Sequence, residues 1–146
     1  ALCALALAAG LTGCGPDVRE LRYPSGALFE RAEWDGALRH GSRSNYFESG
    51  ARERDVNYAH GLPHGEWRAW NEAGVLLSSG RYAAGRRTGE WTESFDDGKP
   101  RASGSYRDGD KDGVWRYWRA DGSPAYEETW SAGTLLGARE FAPADR

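Results

Sequence analysis

His40, His60 and His64 are the residues of this chain best suited to acid–base work or metal ligation, because imidazole titrates near neutral pH and offers a nitrogen to a divalent ion. His60 and His64 flank Gly61 and Pro63, and His40 stands at the corresponding place before them. No cysteine follows Cys14 to complete a ligand set, and the positions equivalent to the pair one step later hold Ala84 and Thr88. Solvent-exposed turn histidines are therefore expected rather than a zinc site. Carboxylates gather at Asp96-Asp97 and from Asp108 to Asp112, where aspartate is a natural turn former. Asp108-Gly109-Asp110-Lys111-Asp112-Gly113 opens like a calcium loop, but Trp115 and Arg119 lie where ligands would be needed. Ser78 and Ser103 lack a Gly-x-Ser-x-Gly setting, and no glycine series opens a helix as phosphate loops do. Neither enzymatic activity nor a metal or cofactor is expected.

The residues that repeat are of another kind. The chain has 146 residues and is 39% hydrophobic, with Trp 7, Tyr 7, Phe 4 and no Met, so rings must supply most of the packing. Lys+Arg 19 against Asp+Glu 22 gives a formal charge of -3, with both signs interleaved. Nucleic acid needs clustered cations and is not an expected partner, and the acidic balance offers no basic patch for anionic headgroups.

Gly41, Gly65, Gly89, Gly113 and Gly137 recur every 24 residues, as do Gly26, Gly50, Gly74, Gly98 and Gly122. A third series is aromatic: Trp34, Tyr58, Tyr82, Tyr106 and Trp130. Trp67, Trp91 and Trp115 form a fourth. A unit of this length with two glycine-marked turns holds two strands and is too short for a propeller blade. The expected fold is all-β: an elongated, single-layer antiparallel meander of about five 24-residue hairpin repeats. Glu48-Ser49-Gly50 and its equivalents suit a type I turn followed by Gly at positive φ, and Gly61, Gly85, Gly109 and Gly133 serve the other turn.

Before the aromatic of each second strand, the residues one and three earlier are polar, for example Asn57 and Asp55 or Arg81 and Ser79, so that face is expected to be solvated. Two earlier stand Ala32, Val56, Gly80, Gly104 and Glu128, mostly small neighbours beside which a ring lies flat. Trp67 and Trp70 differ by an odd number and should point to opposite faces unless a bulge intervenes.

Residues 1–13, ALCALALAAGLTG, are uncharged, mostly apolar and too short to span a bilayer. They read as an incomplete secretory leader. Leu11-Thr12-Gly13-Cys14 resembles the lipobox of bacterial lipoproteins, which implies that Cys14 is lipidated and becomes the mature N-terminus. Two or three acyl chains hold a domain stably at a membrane. The organisation expected is a leader at 1–13, a lipidated Cys14 and linker at 14–21, a repeat domain at 22–137 and a tail at 138–146. The product would be exported as a cell-membrane or outer-membrane lipoprotein, facing periplasm or surface. With a single cysteine left after processing, no internal disulfide is expected.

The strand Gly65-Glu66-Trp67-Arg68-Ala69-Trp70, the turn glycine Gly74, and Tyr82-Ala83-Ala84-Gly85 on to Gly89 resemble the MORN-variant repeat of the YwqK family of antitoxins. The resemblance covers residues 22–137, with two departures: Gly36 comes one place early, and Arg43 stands where Trp is expected. It implies a hairpin meander that binds, with a protein partner such as a secreted toxin. An exported chain suits an immunity-like role in the envelope better than a cytoplasmic one.

Five rings on one face would present about 1,000 Å² at roughly 200 Å² each, more than monomers usually leave bare. Mutual covering of the rings is the first expectation and a bound partner the second. The candidate binding face comprises Trp34, Tyr58, Tyr82, Tyr106 and Trp130 with Trp67, Trp91 and Trp115. A cell-wall glycan or choline ligand is the alternative to a protein, because equivalent rings recur every ~10 Å, comparable to an extended disaccharide. Outer strands left unpaired invite pairing with another chain.

Overall fold

The computed structural model describes residues 16–143. The leader and Cys14 lie outside the described residues. Eleven strands form one antiparallel sheet in strict sequence order: β1 (Asp17–Arg22), β2 (Leu28–Asp35), β3 (Leu38–Tyr46), β4 (Arg52–Ala59), β5 (Leu62–Trp70), β6 (Leu76–Ala83), β7 (Arg86–Ser94), β8 (Pro100–Arg107), β9 (Asp110–Trp118), β10 (Pro124–Ser131) and β11 (Thr134–Glu140). The sheet is the expected all-β meander. It is also longer than the repeat region read from sequence. β1 occupies the stretch assigned to a linker, and β11 runs into the tail. β1 lacks the glycine and aromatic marks of a unit and forms one edge of the sheet among the described residues.

Two turn types alternate down the two long sides of the sheet. On one side Gly50 N–H donates to Phe47 O at 2.9 Å and Phe47 N–H to Ala51 O at 2.8 Å, with Gly50 at φ 86. That is the expected type I turn closed by a left-handed glycine, and it recurs at Gly26, Gly74, Gly98 and Gly122. On the other side two residues suffice. His60-Gly61, Ala84-Gly85, Asp108-Gly109 and Ala132-Gly133 have positive φ at both positions, the signature of I′ hairpins, whose twist matches that of the strands. The first unit differs. Gly36 has φ 57 and Ala37 is not in the left-handed region, the sign pattern of II′, in which glycine comes first. This is why Gly36 stands one place early.

Each first strand also carries a wide irregularity. Val56 pairs with Trp67 and Tyr58 with Pro63, so five residues of β5 span the length of three in β4, with Gly65 at φ 87 inside and Tyr58's successor in the series, Tyr82, directly opposite Gly65. β7 and β9 repeat the pattern. A second shift falls between Ala69 and Trp70. The odd spacing of Trp67 and Trp70 thus crosses an irregularity, not a continuous pleat.

Candidate binding face

The core of this single-layer sheet is one of its own faces. In β7 the bulge folds Trp91 back over Gly80 of the preceding strand, so closely that a Cβ on Gly80 would overlap the indole; Trp115 covers Gly104 in the same way. Gly80, two before Tyr82, and Gly104, two before Tyr106, are therefore each the seat of the next strand's tryptophan. Trp91 is 2% and Trp115 3% exposed. Trp91 meets Trp67 at 5.2 Å, Tyr82 at 5.3 Å and Tyr106 at 5.8 Å between ring centroids, and the series continues through Tyr106, Trp115, Tyr117 and Tyr126. The indole N–H groups donate to backbone, Trp91 Nε1 to Arg81 O and Trp115 Nε1 to Ser105 O. Trp34, Tyr58, Tyr82, Tyr106, Trp130 and Trp67 are half-buried. All eight ring-series residues lie on this one face, with Trp91 and Trp115 as its floor.

A column of cations lies over the rings. Arg39 stands over Trp34 and Tyr58, Arg87 over Trp91 and Tyr106, and Lys111 over Trp115, Tyr117 and Trp130. Such contacts contribute about 0.5–2 kcal/mol each, most where water is excluded. Arg87 Nη1 donates to Tyr106 Oη at 3.0 Å. Burial would lower its pKa, but bonds with the Tyr82 and Tyr106 hydroxyls outweigh it and the group stays charged.

Charges that alternate along a strand part company in the sheet, because neighbours point to opposite faces. Arg39, Arg43, Arg54, Arg87 and Lys111 fall on the ring face with Glu30, Glu93 and Glu128; Glu33, Asp55, Glu66, Asp112 and Glu127 fall on the other with Arg68, Arg81 and Arg116. The opposite face is polar as expected, with Asn57, Arg81 and Thr129 exposed and Ser79 Oγ bonded to Thr92 Oγ1 at 2.9 Å.

One row across the ring face accounts for a cleft there. Successive cross-strand partners run Glu30, Asn45, Arg54, Ala69, Ser78, Glu93, Ala102, Tyr117, Tyr126. Large side chains fill both ends of the row, while Ala69 and Ser78 leave the middle low. There a cleft of ≈ 460 Å³ opens, lined by Trp67, Leu77, Ser78, Arg87, Trp91, Glu93, Ser94, Phe95, Asp96 and Arg101. Its size is within the range of ligand pockets, roughly 300–1,000 Å³. Glu93 accepts from Arg101 Nη2 at 2.9 Å. Of the lining residues, the ring series supplies Trp67 and Trp91; Arg87, Glu93 and Phe95 were not singled out from sequence. Aligning the 24-residue units column by column, Arg39-Pro63-Arg87-Lys111 and Asn45-Ala69-Glu93-Tyr117, is the signal that exposes them.

The histidines are exposed, but only His60 lies in a turn; His40 falls in β3 and His64 in β5, because the two-residue hairpin turns are shorter than the sequence spacing suggests. His40 and His60 touch edge to face at 5.5 Å, and His64 Nδ1 accepts from Ala84 N–H. Among the described residues no cluster of three His, Cys, Asp or Glu side chains could hold a metal.

The MORN repeat variant matches residues 87–108, the unit that contains Arg87, Trp91, Gly104 and Tyr106. That one unit is thus similar to a MORN repeat variant, and its equivalents recur at the 24-residue step along the sheet. No curated protein matches the chain.

Proposed function

We propose that this chain is a non-catalytic lipoprotein of the cell envelope, held at the membrane through Cys14, whose ring face captures a protein partner in the manner of an antitoxin or immunity protein. The cleft beside Trp67 is the observation that carries the reading. It is a concave break in a face whose rings otherwise cover one another, and it joins an aromatic floor to Arg87 and Glu93, the mixture that anchors protein interfaces. The lipobox-like Leu11-Thr12-Gly13-Cys14 supports anchoring, and the hairpin stack supplies the extended surface on which repeat proteins seat partners.

Two measurements test it. Labelled palmitate should enter the full chain and be lost in Cys14→Ser. Envelope proteins co-purifying with the full chain should be lost in Trp67→Ala and kept in Arg116→Ala, which changes the opposite face. Retention in both would defeat a ring-face partner. Ser78 and Glu93 beside the Trp67 ring favour a second reading, a wall glycan stacked on the indole and hydrogen-bonded at its hydroxyls. Co-sedimentation with purified sacculi, lost in Trp67→Ala, would select it.

A further inference from the structure

We infer that the cleft and the ring face around it take an acidic, extended segment of the partner, with a carboxylate held by the Arg87 guanidinium; this rests on the protein-partner reading above. The ring-face cations fall into two groups. Arg39 and Arg43 share Glu30 as their ion-pair partner, and Lys111 pairs with Glu128. Arg87 and Arg54, on the two sides of Trp67, make no ion pair among the described residues. Arg87 is half-buried against Trp91 and bonded to the Tyr82 and Tyr106 hydroxyls. Arg87 borders the cleft, and its five N–H donors exceed what two hydroxyls use, so donors remain for a carboxylate.

Of the two acids lining the cleft, Glu93 is engaged by Arg101 and Asp96 makes no ion pair with Arg87 among the described residues. Arg54 and Arg87 stand three strands apart, about 14 Å across the sheet, so whatever touches both is a stretch of chain and not one residue. Trp67 between them offers an apolar contact within the same segment. The ring-face acids Glu30, Glu93 and Glu128 are each already paired with an arginine or lysine, which leaves Arg54 and Arg87 as the complement to negative charge.

The test is fluorescence anisotropy of the full chain with a labelled peptide, Glu-Glu-Trp-Glu-Glu-Trp, and its lysine counterpart. The acidic peptide should bind, more weakly with added salt, and lose about tenfold in affinity in Arg87→Gln. Arg54→Gln, at an exposed site, should weaken it without touching the ring stack, and Arg81→Gln on the opposite face should leave it unchanged. Circular dichroism of each variant checks folding. Equal binding of the lysine peptide, equal loss in Arg81→Gln, full displacement by inorganic phosphate, or arginine-dependent binding to vesicles of equimolar phosphatidylcholine and phosphatidylglycerol in place of the peptide would overturn the inference. Absence of peptide binding alongside Trp67-dependent partner capture would overturn this inference and leave the protein-partner reading standing.

Discussion

Strands β2 to β4 and strands β5 to β9 solve the same packing problem with different chemistry. In the central units a tryptophan lies on the small residue of the preceding strand and touches rings on its other sides. In the first unit Arg43 takes the place of that tryptophan, opposite Ala32, and Glu30, 5% exposed, accepts from Arg43 Nη2 at 2.6 Å and from Arg39 Nη2 at 3.0 Å. The ionic version is less complete. Trp34 Nε1, Arg39 Nε and Asn45 Oδ1 are buried without a hydrogen-bond partner, whereas the buried indoles of the centre donate to backbone carbonyls. The far end also turns ionic. Glu128 stands where the other units have a small residue, and takes bonds from Lys111, Tyr117 and Trp130. Rings hold the middle of the stack and charges close its ends, as expected where end units of a repeat array must face water.

Truncation at the centre should cost most. Trp91→Ala removes a ring that contacts Trp67, Tyr82 and Tyr106, and should lower unfolding free energy by about 3–5 kcal/mol in urea titration. Glu30→Ala, which strands two arginines, should cost about 3 kcal/mol. Converting the ionic unit to the central pattern sharpens the contrast: Glu30→Ser with Arg43→Trp should be neutral or stabilising by about 1–2 kcal/mol relative to the native chain, because well-packed apolar groups replace a buried ion cluster. A large loss in the double variant would show that the charges are intrinsic to the fold of that end.

Smaller effects follow at the far end and in the turns. Burial alone would raise the Glu128 pKa, but the bonds from Trp130, Tyr117 and Lys111 outweigh it and hold the carboxyl below its ordinary value. A carboxyl depressed in the folded state contributes stability that is present above its unfolded pKa, about 4.3, and is lost as pH falls through the folded value. Urea midpoints should therefore fall through that acid window, and Glu128→Gln should flatten the decline. Ala84, a non-glycine residue at φ 45 in an I′ turn, should accept asparagine with a gain of up to about 1 kcal/mol in thermal unfolding.

Much of the sheet was legible because glycine and ring recur without insertion: the 24-residue register, both turn sites and the order of strands follow from Gly50, Gly61 and Tyr58 and their successors. Three features were not. The fold-back of Trp91 onto Gly80 depends on extra residues in one strand only, and a pattern of residue types does not say which strand is longer. β1 carries none of the repeated residues, so the 24-residue register does not reveal it. The cleft is made by what Ala69 and Ser78 lack, and Arg87 becomes conspicuous only once Tyr106 and Trp91 lie beside it. The exposure of Arg54 on the ring face was hidden for a related reason: Arg54 and Asp55 cancel in a sum but point to opposite faces.

Ser78 and Ser79 offer the most direct test of ring-face binding. They are adjacent in β6, Ser78 lining the cleft and Ser79 bonded across the opposite face to Thr92. A photo-crosslinking amino acid placed at each in turn, in cells making the full chain, should trap a partner from position 78 and not from 79. Trapping from 79 alone, or equally from both, would contradict the assignment of binding to the ring face.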